Sequence, residues 1–247
     1  MEPVCEGGTR TRRSGVSEMF HDRREAGERL ARVVEGQNRP YPLVLALPRG
    51  GVPVAARIAE RLDLPLDVVV VRKIPVPGSP ETALGATTAE GPPLFDDRSL
   101  RVLGLSEEDL AESVRAEQAE ARRRVQVYRE GEPGPRVTGY DVVLVDDGLA
   151  TGMSARAALT ALRRQDPASL ALAVPVGAPS AVHALADVCD QVICVEAPPD
   201  FGAVSLWYEE FPQVGDEEVL SWLRRRPRRV RNDAPRGDNR PEVSGPP

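Results

Sequence analysis

The chain has 247 residues, enough to bury a sizeable core as one domain, with 24 prolines and only 4% aromatic residues. Its formal net charge is −6, although residues 224–247 carry eight arginines against three acids. The remainder is therefore clearly acidic, which argues against a nucleic-acid-binding core.

No apolar run approaches the ~20 residues of a membrane helix, and the first residues lack the apolar stretch of a signal peptide. A cytoplasmic protein with no membrane partner is expected. Cys5, Cys189 and Cys194 form an odd set without metal-ligand spacing, so no metal site is assigned to them. They fit a reducing compartment, with Cys189 and Cys194 packed at a helix end and in a strand.

Residues 1–17 and 224–247 read as disordered tails, the second rich in Arg, Pro, Gly and Asn. Residues 18–223 read as the folded domain. Residues 20–34 have helical spacing: Ala26, Leu30, Val33 and Val34 share one face, with Asp22, Arg23, Glu28 and Arg32 largely outside it. Residues 43–47 form a short apolar run that ends in Pro48, Arg49, Gly50 and Gly51, and residues 54–62 read as a helix. Residues 66–71 read as a strand buried on both faces, on the strength of the β-branched run at 68–71. Arg72 and Lys73 end it.

From 74 to 91 the pattern dissolves into Pro, Gly, Ser and Thr, with a short strand near 84–88. That predicts a long functional loop. A helix is expected from 106 to 128, its many charges facing solvent. Strand, helix, strand, helix, strand then follow at 142–145, 154–164, 171–176, 180–186 and 192–195. This alternation predicts an α/β fold with a twisted parallel sheet flanked by helices. Ligands of such sheets bind beyond the carboxyl ends of the strands.

The chemistry gathers at three of those ends. At 142–154 four apolar residues run into Asp146 and Asp147, followed by Gly148, Leu149, Ala150, Thr151, Gly152, Met153 and Ser154. Two adjacent carboxylates accept from neighbouring sugar hydroxyls. A Gly-rich loop opening a helix offers N–H groups to a phosphate. No Gly-Lys-Ser/Thr follows the glycines, which excludes a Walker loop. Arg49-Gly50-Gly51 supplies a second anion site, and Arg72-Lys73 adds two cations. Together they describe a ligand with phosphate at one end and pyrophosphate at the other.

Residues 142–154 resemble the phosphoribosyl pyrophosphate motif of type I phosphoribosyltransferases. Leu47-Pro48-Arg49-Gly50-Gly51 is similar to their pyrophosphate loop. Arg72-Lys73 with 74–91 resembles their strand end and mobile loop, in the form found in a bacterial branch of predicted phosphoribosyltransferases. Trp207-Tyr208-Glu209-Glu210-Phe211 fits the same branch.

The resemblance implies a small hood built from the chain ends. It implies that Asp146 and Asp147 bind the ribose hydroxyls, that residues 148–154 cradle the 5-phosphate, and that Arg49, Gly50 and Gly51 with Arg72 or Lys73 hold pyrophosphate. It also implies Mg²⁺ carried mainly on ligand oxygens and waters. The implied reaction moves ribose 5-phosphate from phosphoribosyl pyrophosphate to a nitrogenous base, with release of pyrophosphate, in nucleotide salvage.

Members that act on hypoxanthine or guanine usually place an acid where Ala150 stands, so the base here stays unidentified. Glu81 is the candidate general acid or base. Trp207, Tyr208 and Phe211 read either as a stacking wall for a base or as packing. His21 and His183 read as surface or packing residues. A homo-oligomer is expected. The competing reading is a non-catalytic regulator that binds phosphoribosyl pyrophosphate; for that reading the Arg-rich tail is the sole candidate nucleic-acid surface.

Overall fold

The computed structural model describes residues 19–37, 43–76 and 78–225; for Pro80 and Glu81 only the backbone is described. Cys5, the tail at 1–17 and all but the first two residues of the tail at 224–247 lie outside the described residues.

In chain order the elements are α1 (Arg23–Gly36), β1 (Leu43–Ala46), α2 (Gly51–Leu62), β2 (Leu66–Val68), β3 (Val71–Val76), β4 (Ser79–Thr88), β5 (Leu94–Phe95) and α3 (Asp97–Leu103). Then follow α4 (Ala111–Arg129), β6 (Asp141–Val145), α5 (Met153–Arg163), β7 (Ser169–Val176), α6 (Pro179–Ala184), β8 (Gln191–Glu196) and α7 (Asp216–Arg224). No described helix is long and apolar enough to cross a membrane.

The five-stranded sheet runs β2-β1-β6-β7-β8, with every pair parallel. Period two divides its side chains between two layers. Val44, Ala46, Val143 and Val145 join Leu30, Ile58 and Leu223 on the face of α1, α2 and α7. Leu43, Leu45, Val142 and Leu144 join Leu159, Leu162 and Val182 on the face of α5 and α6. Apolar side chains on both faces explain the unbroken apolar runs of these strands.

Chain direction positions the site. β1 lies beside β6, with Ala46 opposite Val145. From β1 the chain crosses outward to β2; from β6 it crosses the other way to β7. The two connections part at the carboxyl ends of β1 and β6 and leave a crevice between them, the switch point where open α/β sheets hold ligands.

The predicted loop at 74–91 is instead mostly antiparallel sheet. β3 pairs with β4, with Arg72 opposite Thr87 and Lys73 opposite Ala86, and β4 pairs with β5. The prolines misled the reading. Pro75 sits where the register shifts, so its missing N–H falls at an irregularity that would interrupt the ladder in any case. Ile74 and Leu84 are buried with Leu100 and Leu110 in a small core of their own.

The expected strand at 66–71 is split at 69–70 between the two sheets. The expected helix at 106–128 begins as α4 at Ala111, after a single 3₁₀ turn at Glu108–Leu110. The helices α3 and α7 were missed because each is short.

Residues 20–21 and 201–211 form the small hood. The Phe20 N–H donates to the Trp207 carbonyl (2.8 Å), and the Glu209 and Glu210 N–H groups donate to the Phe20 and His21 carbonyls (2.8 Å each). Beneath, Phe20 and Phe201 are buried with Tyr208, and Trp207 and Phe211 pack against them.

Candidate functional site

Asp146 and Asp147 follow directly on β6. Leu47, at the end of β1, donates its N–H to the Val145 carbonyl (2.9 Å) and so ties the 47–51 loop to the strand that carries the acids. The loop then turns back: the peptide between Pro48 and Arg49 is cis, and the Gly51 N–H donates to the Leu47 carbonyl (3.0 Å).

Both glycines are required by close approach. A Cβ on Gly50 would lie 1.9 Å from Asp147 Oδ2, and one on Gly51 would lie 2.7 Å from the Val145 carbonyl oxygen. Only bare backbone fits against the two acids.

The acids differ in environment. Burial, with the neighbouring Asp147 charge second, pushes the Asp146 carboxyl well above the ordinary carboxylate range. Asp147 accepts from Arg23 Nε through Oδ2 (2.8 Å), and its own N–H donates to Asp146 Oδ1 (2.9 Å). The Tyr208 hydroxyl donates to the Asp147 main-chain oxygen (2.5 Å).

After the acids the chain is fixed to β7. The Leu149 N–H donates to the Val176 carbonyl (2.9 Å), and the Ala178 N–H donates back to the Leu149 carbonyl (2.8 Å). Ala150 and Thr151 are exposed. Gly152 caps α5 with φ +76, a backbone state that favours glycine, and the Met153 N–H reaches only the Thr151 hydroxyl, at a long 3.5 Å. The first N–H groups of α5, from Met153 and Ser154 onward, thus lack helical partners and stand at the positive end of the helix dipole. An acceptor for two hydroxyls and a donor set for an anion therefore lie on one loop, with the Gly50-Gly51 backbone against the acids.

The predicted cations are placed differently from one another. Arg49 Nη1 lies 3.7 Å from Asp216 Oδ1, in the first turn of α7. The same carboxylate oxygen accepts from the Tyr128 hydroxyl (2.6 Å); burial, with Asp216 second, pushes that hydroxyl up to about 12. Arg72 turns onto α4 and donates through Nε to Glu117 (2.7 Å), whereas Lys73 is exposed. Glu117 is thus not the solvated charge expected of that helix. Its neighbour Gln118 likewise binds Thr87 and the Gly91 carbonyl (3.2 and 3.0 Å). Glu81 falls on β4, and its side chain lies outside the described residues.

Trp207, Tyr208 and Phe211 pack among themselves and against Phe20, with Tyr208 and Phe211 centroids 4.9 Å apart. This is the packing alternative, with polar bonds added: Tyr208 to the Asp147 main-chain oxygen, and the Trp207 indole N–H to the Phe201 carbonyl (2.8 Å). His21 pairs with Glu209 at the surface (2.8 Å), and His183 is exposed. Cys189 and Cys194 are buried as expected. A cavity of about 280 Å³ is lined by Val68, Val125, Arg129 and Leu162 among others and includes none of these site residues.

The sequence reading missed Arg23 and Asp216, and it did not foresee the Tyr208 bond to Asp147. It placed Arg23 largely outside the buried face of α1, yet Arg23 is buried. Spacing carried the signal: residue 23 lies one and two helical turns before Ala26, Leu30 and Ala31, all buried.

A model of the phosphoribosyl transferase domain matches residues 17–206. Two relatives from Mycobacterium tuberculosis, strains CDC 1551 and H37Rv, each named "Putative phosphoribosyl transferase", are 39% identical over 207 residues. Those matches cover 84% of this chain and 47% of each relative, so the chain spans about half the length of the curated relatives it matches. The crystal structure of TT1426 from Thermus thermophilus is 41% identical, has a TM-score of 0.71, and is matched over 83% of this chain and 97% of that one. With the motif of 142–154 at the sheet's switch point and the domain match across most of its length, the chain belongs to the phosphoribosyl transferase domain family.

Proposed function

We propose that residues 18–223 form a phosphoribosyltransferase that moves ribose 5-phosphate from phosphoribosyl pyrophosphate to a nitrogenous base in nucleotide salvage. One observation carries the reading: Asp146 and Asp147 stand beside the Gly50-Gly51 backbone and ahead of the N-terminal end of α5. That is an acceptor pair between two donor sets, which suits a diol between two phosphate groups.

In this reading Asp146 and Asp147 accept from the ribose 2- and 3-hydroxyls. The 5-phosphate lies in the loop of Gly148, Leu149, Ala150, Thr151, Gly152, Met153 and Ser154, on the N–H groups other than that of Leu149, which the Val176 carbonyl takes, and on the Thr151 and Ser154 hydroxyls. Pyrophosphate lies against the Arg49-Gly50-Gly51 backbone, where the Gly51 N–H is already taken by the Leu47 carbonyl, with Arg49 and Arg72 or Lys73 as cations. The C1–O bond breaks with its electron pair leaving on pyrophosphate, a C1–N bond forms to the base, and the base nitrogen loses its proton. Glu81 is the candidate acceptor of that proton. The transition state has oxocarbenium character, and fixed donors around the leaving group are the main protein contribution. Movement of β3 and β4 over the crevice would exclude water.

Among the described residues no group of three or more His, Cys, Asp or Glu stands ready for a metal. Two carboxylates beside a phosphate cradle suit Mg²⁺ that arrives on the ligand's own oxygens and keeps part of its water. When bound, it would neutralise charge on the departing pyrophosphate. The remainder of the proposal is a cytoplasmic homo-oligomer acting on phosphoribosyl pyrophosphate and one base.

The test is a panel of purine and pyrimidine bases incubated with the protein, phosphoribosyl pyrophosphate and Mg²⁺, with pyrophosphate release as readout. Release with at least one base is expected. Binding of phosphoribosyl pyrophosphate without release for any base would replace the enzyme with the regulator reading.

A further inference from the structure

Arg23 is the sole buried cation among the described residues, its side chain only 10% exposed. It occupies the first position of α1, where the helix dipole disfavours a positive charge. The needs of α1 therefore do not explain an arginine there. Its contacts do. Nε donates to Asp147 Oδ2 (2.8 Å), Nη1 donates to the Pro212 carbonyl (2.6 Å), and the guanidinium carbon lies 3.7 Å from the Phe211 ring centroid.

Phe211 in turn packs on Tyr208, whose hydroxyl donates to the Asp147 main-chain oxygen. Burial raises that hydroxyl's pKa far above its ordinary value and keeps it a donor. Asp147 is thus held at both ends, its carboxylate by Arg23 from α1 and its carbonyl by Tyr208 from the opposite chain end.

We propose that Arg23, seconded by Tyr208, is a positioning residue of the sugar site. Arg23 supplies the positive charge that lets two adjacent carboxylates stand at one strand end. It also takes Oδ2 of Asp147 and so turns Oδ1 toward the sugar. The hood is then a part of donor binding: the aromatic cluster holds Arg23, Arg23 holds Asp147, and Asp147 holds the diol. This inference depends on the donor assignment above and extends it to residues outside the motif.

The test is calorimetric titration of phosphoribosyl pyrophosphate with Mg²⁺ into the wild type, Arg23→Gln, Arg23→Lys, Tyr208→Phe and a control, Arg129→Gln. Melting temperature is recorded for each. Arg129 pairs with the fully buried Asp67 (3.2 Å), away from the crevice. Loss of a charge-assisted bond predicts a rise in Kd of about 10- to 100-fold for Arg23→Gln. Arg23→Lys keeps the charge without the planar fork and falls between. Tyr208→Phe raises Kd by about 2- to 10-fold. Arg129→Gln lowers the melting temperature and leaves Kd unchanged.

Wild-type Kd in Arg23→Gln, with a lowered melting temperature like that of Arg129→Gln, makes Arg23 a fold residue and overturns the proposal. If Arg23→Gln does not fold, wild-type affinity in both Arg23→Lys and Tyr208→Phe overturns it instead. No binding by the wild type removes the donor assignment, and this inference with it; binding with unaffected variants removes the inference alone.

Discussion

Replacing Gly50 by alanine tests the closest contact in the crevice. The added Cβ would lie 1.9 Å from Asp147 Oδ2 and 2.6 Å from its carboxyl carbon, far inside any real carbon contact. Something must move. The 47–51 loop is tied to β6 through Leu47 and Val145, and the Gly51 position is closed by the Val145 carbonyl, so the loop has little room. The carboxylate of Asp147 is the softer element, and its displacement breaks the bond to Arg23.

A buried charge-assisted bond of this kind contributes about 1.5–3 kcal/mol. For a domain of this size that corresponds to a fall in melting temperature of about 3–12 °C. Affinity for phosphoribosyl pyrophosphate falls by roughly tenfold or more, because the acid and the amide donors are disturbed together. Differential scanning fluorimetry and calorimetric titration read the two effects. A Gly50→Ala protein with wild-type melting temperature and wild-type affinity would refute the reasoning, since the contact geometry admits no such outcome.

Asp146 gives a pH test. Its folded-state pKa is raised by burial and by Asp147, so the stability it allows is fully present below its unfolded value and is lost as pH rises through the folded value. Asp146→Asn escapes that loss. The variant should melt higher than wild type at neutral pH, with the gap closing in acid, and a pH series of melting curves checks it. In the wild type a protonated Asp146 stops accepting from the sugar. Affinity for phosphoribosyl pyrophosphate should therefore weaken on acidification before an ordinary carboxylate would titrate, as titrations at stepped pH will show. Gly152→Ala separates backbone from ligand. Space exists for the methyl, whose nearest neighbour would be Leu185 at 3.4 Å, but φ +76 costs an L residue about 1–2 kcal/mol. Chemical unfolding should show that loss, and titration a larger loss of affinity, because the start of α5 is where the phosphate is proposed to sit.

The parts of the fold that a sequence shows most readily are those governed by one-dimensional patterns. The strands at 142–145 and 171–176 stood out because both faces are covered, so no polar residue interrupts them. The motif at 146–154 stood out for a different reason: two acids and two glycines at those positions serve few structural purposes, which is why binding is proposed for them.

What stayed hidden depends on contacts distant in sequence. The pairing of β3 with β4 was masked by Pro75, tolerated because the register slips there. Arg72 read as a site cation beside Lys73 and Glu117 as a solvated helix charge; their pairing, 45 residues apart in sequence, forms only where the hairpin meets α4. Arg23 looked solvent-facing because a charge on a helix usually is. Its partner, Asp147, lies 124 residues further along the chain, and no local pattern links them.

The most direct test of the proposed donor site is calorimetric titration of phosphoribosyl pyrophosphate with Mg²⁺ into the wild type and into the Asp146→Asn, Asp147→Asn double variant. A 1:1 isotherm for the wild type and none for the folded double variant is the predicted result. No heat with the wild type, or equal affinity in the double variant, would contradict the assignment of this crevice to the sugar diol.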